Sequence, residues 1–339
     1  MTRPVRFLQI EPTTRCNFTC GFCCGRRMDQ TDLAWETFEA SLADFPEVEH
    51  VELQGEGESL LHPRFADMVA RLRERDIQVS LITNGSLWSP AVVDRVLSLG
   101  VQKVSVSIES ADPETFRRLR GGKLEKVVRN LEHLMGERAR RGLDRPVVGF
   151  SVTVLRSTRA TLGEVYALYR RLGLDGGVTL QPLQAMSAYT DAYAEGLVGE
   201  GLDEAEGDRV LARFFSDAAL RSIQADRPPE RGFYEQMMAA WKPGTGTCPY
   251  LDDGLYVHRD GQITACCMIK DTAAHGLGRV GVTPRDEVLA GRERLRDELA
   301  AFRVPTPCQG CALARFAVMG KPGLLRFAWR GLVDRVFGP

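Results

Sequence analysis

Cys16, Cys20 and Cys23 stand in the run Thr13-Thr14-Arg15-Cys16-Asn17-Phe18-Thr19-Cys20-Gly21-Phe22-Cys23, just past a first apolar stretch. Three thiolates at this C-x3-C-x2-C spacing can hold three irons of a cubane cluster and leave the fourth iron without a protein ligand. The same donors are half of a structural zinc site, for which the adjacent Cys24 could supply a fourth ligand. A second set, Cys248, Cys266, Cys308 and Cys311, follows far along the chain as C-x17-C-x41-C-x2-C. Four thiolates complete the ligand set of either a cluster or a zinc ion.

The elements that must position these cysteines alternate between two periods. Arg6 to Ile10, His50 to Gln54, Ile77 to Ile82, Val101 to Ile108, Val147 to Val154 and Val178 to Gln181 are short apolar runs, as expected of strands buried on both faces. Ala34 to Phe45, Phe65 to Glu74, Pro90 to Leu99, Leu124 to Arg141 and Leu162 to Leu172 are amphipathic and read as helices between them. This order predicts an α/β fold, a partial (β/α)6 TIM-like barrel, whose chemistry gathers on the loops after the strand C-termini. The loop from Cys16 to Cys23 follows the first strand, at that rim.

With these features together the chain resembles the radical SAM superfamily. The resemblance implies that a 4Fe-4S cluster on Cys16, Cys20 and Cys23 chelates S-adenosylmethionine (SAM). One electron then cleaves SAM to methionine and a 5'-deoxyadenosyl radical, which takes a hydrogen atom from a substrate carbon. Gly55-Glu56-Gly57-Glu58-Ser59 resembles the family's GGEP segment, which receives the methionine amino group of SAM, with Ser59 in place of the usual proline. Thr83-Asn84-Gly85 resembles the family's TNG turn, and Phe22 matches an aromatic that packs near the adenine. Ser105 to Ser110 resembles the SxD pattern near the ribose and methionine end of SAM. There Ser107 and Glu109 are the cofactor contacts implied, with Glu109 where Asp is more usual.

The second cysteine set resembles the SPASM or shorter twitch extension of that superfamily, in which a hairpin and a CxxC loop hold an auxiliary 4Fe-4S cluster. Asp260-Gly261, between two apolar runs just before Cys266, is a hairpin signal in its own right. A full SPASM domain carries two auxiliary clusters; with no further cysteine after Cys311, this chain implies one. The expected domains are a radical SAM barrel over 1–186, a helical connector over 187–247, a SPASM/twitch domain over 248–320 and an amphipathic helix over 321–339. The connector contains Tyr189, Asp191, Tyr193 and Tyr234 and the Pro228-Pro229 break, and it could cover the barrel mouth. Its aromatics read as packing or as substrate contacts. The basic amphipathic tail reads as docking on its own barrel, or on a membrane or partner.

Cys24 and Cys267 each follow a ligand candidate directly. Cys267 is either a small buried hydrophobe or a catalytic thiol facing the substrate, where its hydrogen atom could quench a carbon radical. In sulfatase-maturing relatives an acidic residue follows the corresponding ligand and acts as a base; here that position is Cys267, and Cys267 and Glu109 are the catalytic candidates.

A chain of 339 residues suffices for a barrel and an appended domain, and a net charge of -1 offers no case for a nucleic-acid surface. No apolar run is long enough to span a bilayer, and nine cysteines favour metal or redox chemistry in a reducing compartment, so a cytoplasmic protein is expected. The implied cofactors are SAM and two 4Fe-4S clusters, and the implied electron source is a reductase system such as flavodoxin or ferredoxin. Only fifteen residues precede Cys16, without the leader-binding domain that many peptide-modifying relatives carry. That favours oxidation of a small natural-product intermediate, such as an aminocyclitol or amino sugar. Maturation of a ribosomally made peptide, by cross-link, thioether or epimerisation, is the alternative. Outside enzymes, an iron-sulfur electron carrier or a zinc-binding scaffold would fit the cysteines, but neither has a use for the SAM loops.

Overall fold

The structure is a computed structural model that describes residues 3–203, 205–207, 209–210 and 242–320. Tyr234, the Pro228-Pro229 break and the tail helix over 321–339 lie outside the described residues. Six strands, β1 (Phe7–Ile10), β2 (His50–Leu53), β3 (Gln78–Thr83), β4 (Lys103–Ser107), β5 (Val147–Val154) and β6 (Val178–Pro182), pair in sequence order and in parallel. Each falls on an expected run, and β1 and β2 are buried at every position. Most of their residues are apolar, as burial on both faces requires, and the polar exceptions satisfy one another inside: Gln9 donates to Glu52 at 2.9 Å, and His50 Nε2 lies 2.7 Å from Ser80 Oγ.

The connecting helices cover the sheet with one apolar stripe each. Helices α1 (Trp35–Asp44), α2 (Phe65–Glu74) and α3 (Pro90–Ser98) lie where the periodicity placed them. In α2 the buried residues are Phe65, Met68, Val69 and Leu72, spaced by three and four so that they share one face. The start of α3 is fixed by Ser89, whose side chain accepts from the Val92 amide, with Pro90 in the first turn. An additional helix, α4 (Pro113–Arg120), precedes the expected α5 (Leu124–Arg140). It carries so many charges that its apolar stripe shrinks to Phe116 and Leu119, beside the buried Arg120. Its caps were nonetheless readable: Asp112 accepts from the Thr115 amide at 2.8 Å, and Gly121 ends the helix at φ 70°. Helix α6 (Leu162–Arg171) completes the series.

The C-terminal segment does not stand apart from this sheet. Strand β7 (Gly254–Val257) pairs in parallel with β1, Leu8 opposite Leu255, and the antiparallel strands β8 (Gln262–Thr264) and β9 (Gly278–Arg279) extend the edge. The result is one nine-stranded sheet in the order β6-β5-β4-β3-β2-β1-β7-β8-β9. It is an open, partial TIM-like barrel whose lower-numbered edge is sealed by the segment expected to form a separate domain. The β7–β8 turn contains Asp260 and Gly261, the latter at φ 86°, as the hairpin signal required. Beyond the sheet come four shorter or amphipathic pieces, α7 (Ser187–Thr190), α8 (Pro249–Asp253), α9 (Thr272–His275) and the long α10 (Arg285–Ala300), and finally α11 (Ala312–Ala317).

Candidate active site

The loop from Cys16 to Cys23 leaves β1 and is held from three sides. The Thr19 and Gly21 amides donate to the carbonyls of Arg120 and Leu119 at the end of α4, at 3.0 and 3.1 Å. The Ala194 amide, from the segment after α7, donates to the Gly21 carbonyl at 2.8 Å. Asn84 at the end of β3 donates to Asn17 Oδ1 at 2.9 Å, and Asn17 in turn donates to Ser86 Oγ at 2.8 Å. The close fit explains Gly122: a side-chain carbon there would stand 2.2 Å from the Phe18 ring.

Cys16, Cys20, Phe22 and Cys23 share the wall of one open cavity, ≈ 1100 Å³ including its mouth, at the C-terminal ends of the strands. Gly55, Glu56, Gly57, Glu58, Thr83, Asn84 and Ser107 line it too, so the SAM loops singled out in the sequence converge on one space. Glu58 ties two of them together, accepting from Thr83 Oγ1 at 2.7 Å and from the Asn84 amide at 2.6 Å. Gly57 is needed because a Cβ there would lie 2.3 Å from the Thr13 carbonyl oxygen.

Glu109 is placed differently from the expectation. Its side chain is wholly buried behind the wall, and both carboxylate oxygens pair with the Arg120 guanidinium. Arg120 lines the cavity in its place, with Nη1 3.7 Å from Cys20 Sγ and its guanidinium 5.4 Å from the Phe22 ring centre. Two positions beyond the end of β4 the Glu109 carboxylate is fully buried, where a charge needs a partner.

The donor set suits a thiolate-bound cluster. Nitrogen donors point at sulfur: the Phe18 amide to Cys16 Sγ at 3.4 Å, Asn84 Nδ2 to Cys16 Sγ at 3.9 Å, and Arg120 to Cys20. Such contacts stabilise thiolate ligands and tune what they bind. Burial pushes the Cys20 thiol up to about 11 against the pull of Arg120, and it raises Cys23 further, with Glu56 adding to the shift. The free thiols therefore keep their protons, and cluster binding must displace them. Among the described residues no three His, Cys, Asp or Glu side chains meet closely enough to hold a single metal ion. The cysteines form wider groups.

Cys248, Cys266, Cys308 and Cys311 form the second such group, packed against one small core with Ile269 and Leu299; none lines the cavity, although Cys311 also packs against the cluster that contains Tyr189 and Tyr193. Burial raises the Cys266 thiol well above its usual range, and the nearby Cys267, Cys308, Cys311 and Cys248 act in the same direction. Amides of Leu251 and Tyr250 point at Cys248 and those of Ala314 and Leu313 at Cys311, the same donor pattern as in the first group.

The segment between the two groups makes the remaining wall. Cys267 lines the cavity while its neighbour Cys266 turns to the second group. Burial pushes the Cys267 thiol up to about 12, so it stays an S–H group. Beside it lies Lys270, a residue that looks like a surface charge in the sequence and is almost wholly buried here. Its Nζ stands 2.5 Å from Glu56 Oε1 and 5.2 and 5.8 Å from the ring centres of Tyr256 and Tyr189. Tyr189 and Tyr193 from the connector also line the cavity, whereas Asp191 does not.

A family model for the radical SAM superfamily matches residues 10–168. The probable GTP 3',8-cyclase of Methanopyrus kandleri is 30% identical over 217 residues, which cover 61% of this chain and 67% of that protein. The tungsten-containing aldehyde ferredoxin oxidoreductase cofactor-modifying protein of Pyrococcus furiosus is 28% identical over 184 residues, 50% of either chain. The chain belongs to the radical SAM superfamily. It spans about half the length of several of the curated relatives it matches. In fold it is similar to anSMEcpe with bound AdoMet and the Cp18Cys peptide, with a TM-score of 0.66 and 16% identity over 98% of this chain and 97% of that one.

Proposed function

We propose that this protein is a radical SAM enzyme of the SPASM/twitch kind, with one SAM-binding cluster on Cys16, Cys20 and Cys23 and one auxiliary cluster on Cys248, Cys266, Cys308 and Cys311. The observation that carries this reading is the single cavity in which the first three cysteines, the Glu56 to Glu58 loop, Thr83-Asn84 and Ser107 meet. When bound, the first cluster and SAM supply 5'-deoxyadenosyl radical chemistry. The residues of the chain hold the reactants for it. Glu58 locks the β2 and β3 loops together, Phe22 offers an apolar face for the adenine, and Arg120 and Asn84 hold the cysteine loop. Cys267 keeps a hydrogen atom on sulfur at the same wall.

The substrate occupies the part of the cavity lined by Ser151, Thr153, Gln181 and Gln184, whose hydroxyls and amides suit a polar small molecule. Oxidation of such a molecule is the preferred reaction; an auxiliary cluster held by Cys248, Cys266, Cys308 and Cys311 would supply the electron acceptor for it. A side chain carried on a peptide is the alternative, favoured by the open mouth of the cavity. The electron donor is a small reductase-type carrier such as flavodoxin or ferredoxin.

Anaerobically purified protein should hold about eight irons and matching sulfide, as two cubane clusters require. Replacing Cys16, Cys20 and Cys23 with Ala should remove about half the iron and all 5'-deoxyadenosine formation from SAM. Replacing the other four ligands should remove the remaining iron and spare part of that cleavage. Stoichiometric zinc without labile sulfide would refute the reading.

A further inference from the structure

The Glu56–Lys270 ion pair belongs to neither cysteine group, yet it joins them. Glu56 occupies a position in the β2 loop where the family segment has glycine, and its carboxylate has three neighbours. Oε1 takes the Lys270 ammonium at 2.5 Å, Oε2 takes the Cys23 thiol at 3.4 Å, and Cys24 also donates to the carboxylate. Lys270 comes from the segment after Cys266, and its charge also acts on the nearby buried Glu11. The side chains of Lys270 and Glu56 are only 8% and 13% exposed, so water does little to screen them. Glu11 is a second buried carboxylate close by, taking the Glu56 amide at 2.8 Å and the Arg259 amide at 3.2 Å. Glu52, opposite Gln9 in the sheet and hydrogen-bonded to Gln9 and Ser80, is a further buried carboxylate, within β2 itself. On this side of the cavity the acidic groups outnumber Lys270, so its charge is not interchangeable with a neutral side chain.

Resting on the function proposed above, we infer that Lys270 is a positioning residue through which the C-terminal segment sets the electrostatic surroundings of the Cys16, Cys20 and Cys23 site. The ammonium holds the Glu56 carboxylate against Cys23 and compensates its charge there. Reduction potentials of iron-sulfur centres follow the net charge and hydrogen bonds around their sulfurs. A carboxylate against a ligand sulfur opposes uptake of an electron, and a cation beside the carboxylate favours it. The two residues therefore act with opposite signs. Glu56 acts more strongly because it touches the ligand directly, whereas Lys270 stands behind it.

The test is a charge series read by redox titration of the reconstituted protein, following the reduced-cluster paramagnetic signal. The second group is removed as background by Ala at Cys308 and Cys311. Glu56→Gln should move the midpoint to a more positive value, and Lys270→Met should move it to a more negative one. Lys270→Arg should restore it, and the double variant Glu56→Gln with Lys270→Met should fall between the singles. Iron content is measured in parallel. Two singles that shift in the same direction, or a Glu56→Gln midpoint equal to the parent's, would overturn the inference. Should Lys270→Met fail to fold, the sign of the Glu56→Gln shift and recovery by Lys270→Arg still decide it. Absence of iron in the parent itself would instead sink the cluster reading on which the inference rests.

Discussion

Glu109→Gln separates two roles for a residue whose sequence position points to the cofactor and whose structure points to an ion pair. The Glu109 side chain is 0% exposed and that of Arg120 9%, and both carboxylate oxygens meet the guanidinium. The Thr153 amide adds a longer contact to Oε1 at 3.4 Å. Glutamine retains the shape and one acceptor but leaves a guanidinium charge buried without its counter-charge. Breaking such a pair from one side costs about 3–5 kcal/mol. At roughly 2 °C of melting temperature per kcal/mol for a chain of this size, the variant should melt about 6–10 °C below the parent. The assay is thermal denaturation by far-ultraviolet circular dichroism under anaerobic conditions, with SAM affinity measured on the same preparations. The double variant Glu109→Leu with Arg120→Met removes both charges and should recover much of the loss, because replacing a buried pair by apolar groups is often close to neutral. Unchanged melting combined with weakened SAM binding would mean that Glu109 touches the cofactor and that the ion-pair account is mistaken.

Three further outcomes are expected. Gly57→Ala drives a Cβ to 2.3 Å from the Thr13 carbonyl and 2.6 Å from the Arg15 carbonyl, both backbone atoms. It should cost about 1–3 kcal/mol in urea unfolding and weaken SAM binding, and a neutral effect on both would show that the loop is looser than its geometry. His258 is held by burial at about 3, well below its ordinary 6.5, with Nε2 3.0 Å from Thr264 Oγ1. It is neutral in the folded protein and takes a proton on unfolding at mildly acid pH, so its contribution is complete above pH 6.5. That contribution falls by up to about 1.4 kcal/mol per pH unit on acidification toward 3. His258→Gln should flatten that part of the stability profile, and an unaltered slope would assign it to other groups. Trp88→Ala empties a site 1% exposed in the barrel core. A loss of about 3–5 kcal/mol is expected in the same unfolding assay, and less than 1 kcal/mol would contradict tight packing there.

The strands and most helices were legible because parallel strands buried on both faces are rich in apolar residues and their covering helices are striped. Val147–Val154 and Phe65–Glu74 match the sequence reading to the residue. The loops that carry the SAM motifs were legible for a different reason: glycines and small polar residues at strand ends have few uses other than close approach. Helix α4 escaped because charge hides its narrow stripe, although Asp112-Pro113 and Gly121 framed it. Arg120 and Lys270 escaped because nothing local tells a buried cation from a surface one. Their partners, Glu109 and Glu56, lie 11 residues away in one case and on a distant strand end in the other. The pairing of β7 with β1 was hidden for the same reason, since a strand of four residues carries no record of its neighbour.

That pairing has a consequence for how the protein comes into being. In the finished sheet β1 is an interior strand, with β2 on one side and β7 on the other. During synthesis it is an edge strand for almost the whole time, because its second partner lies some 250 residues downstream, as the contact between Arg259 and Glu11 shows. At 5–20 residues per second a ribosome leaves that edge bare for roughly ten seconds to a minute. A bare edge of Phe7, Leu8 and Ile10 beside a row of unpaired amides is an invitation to pair with another nascent chain. The six-stranded half has thus to survive as an incomplete barrel until β7 arrives, and crowding on the polysome is where that vulnerability would be felt.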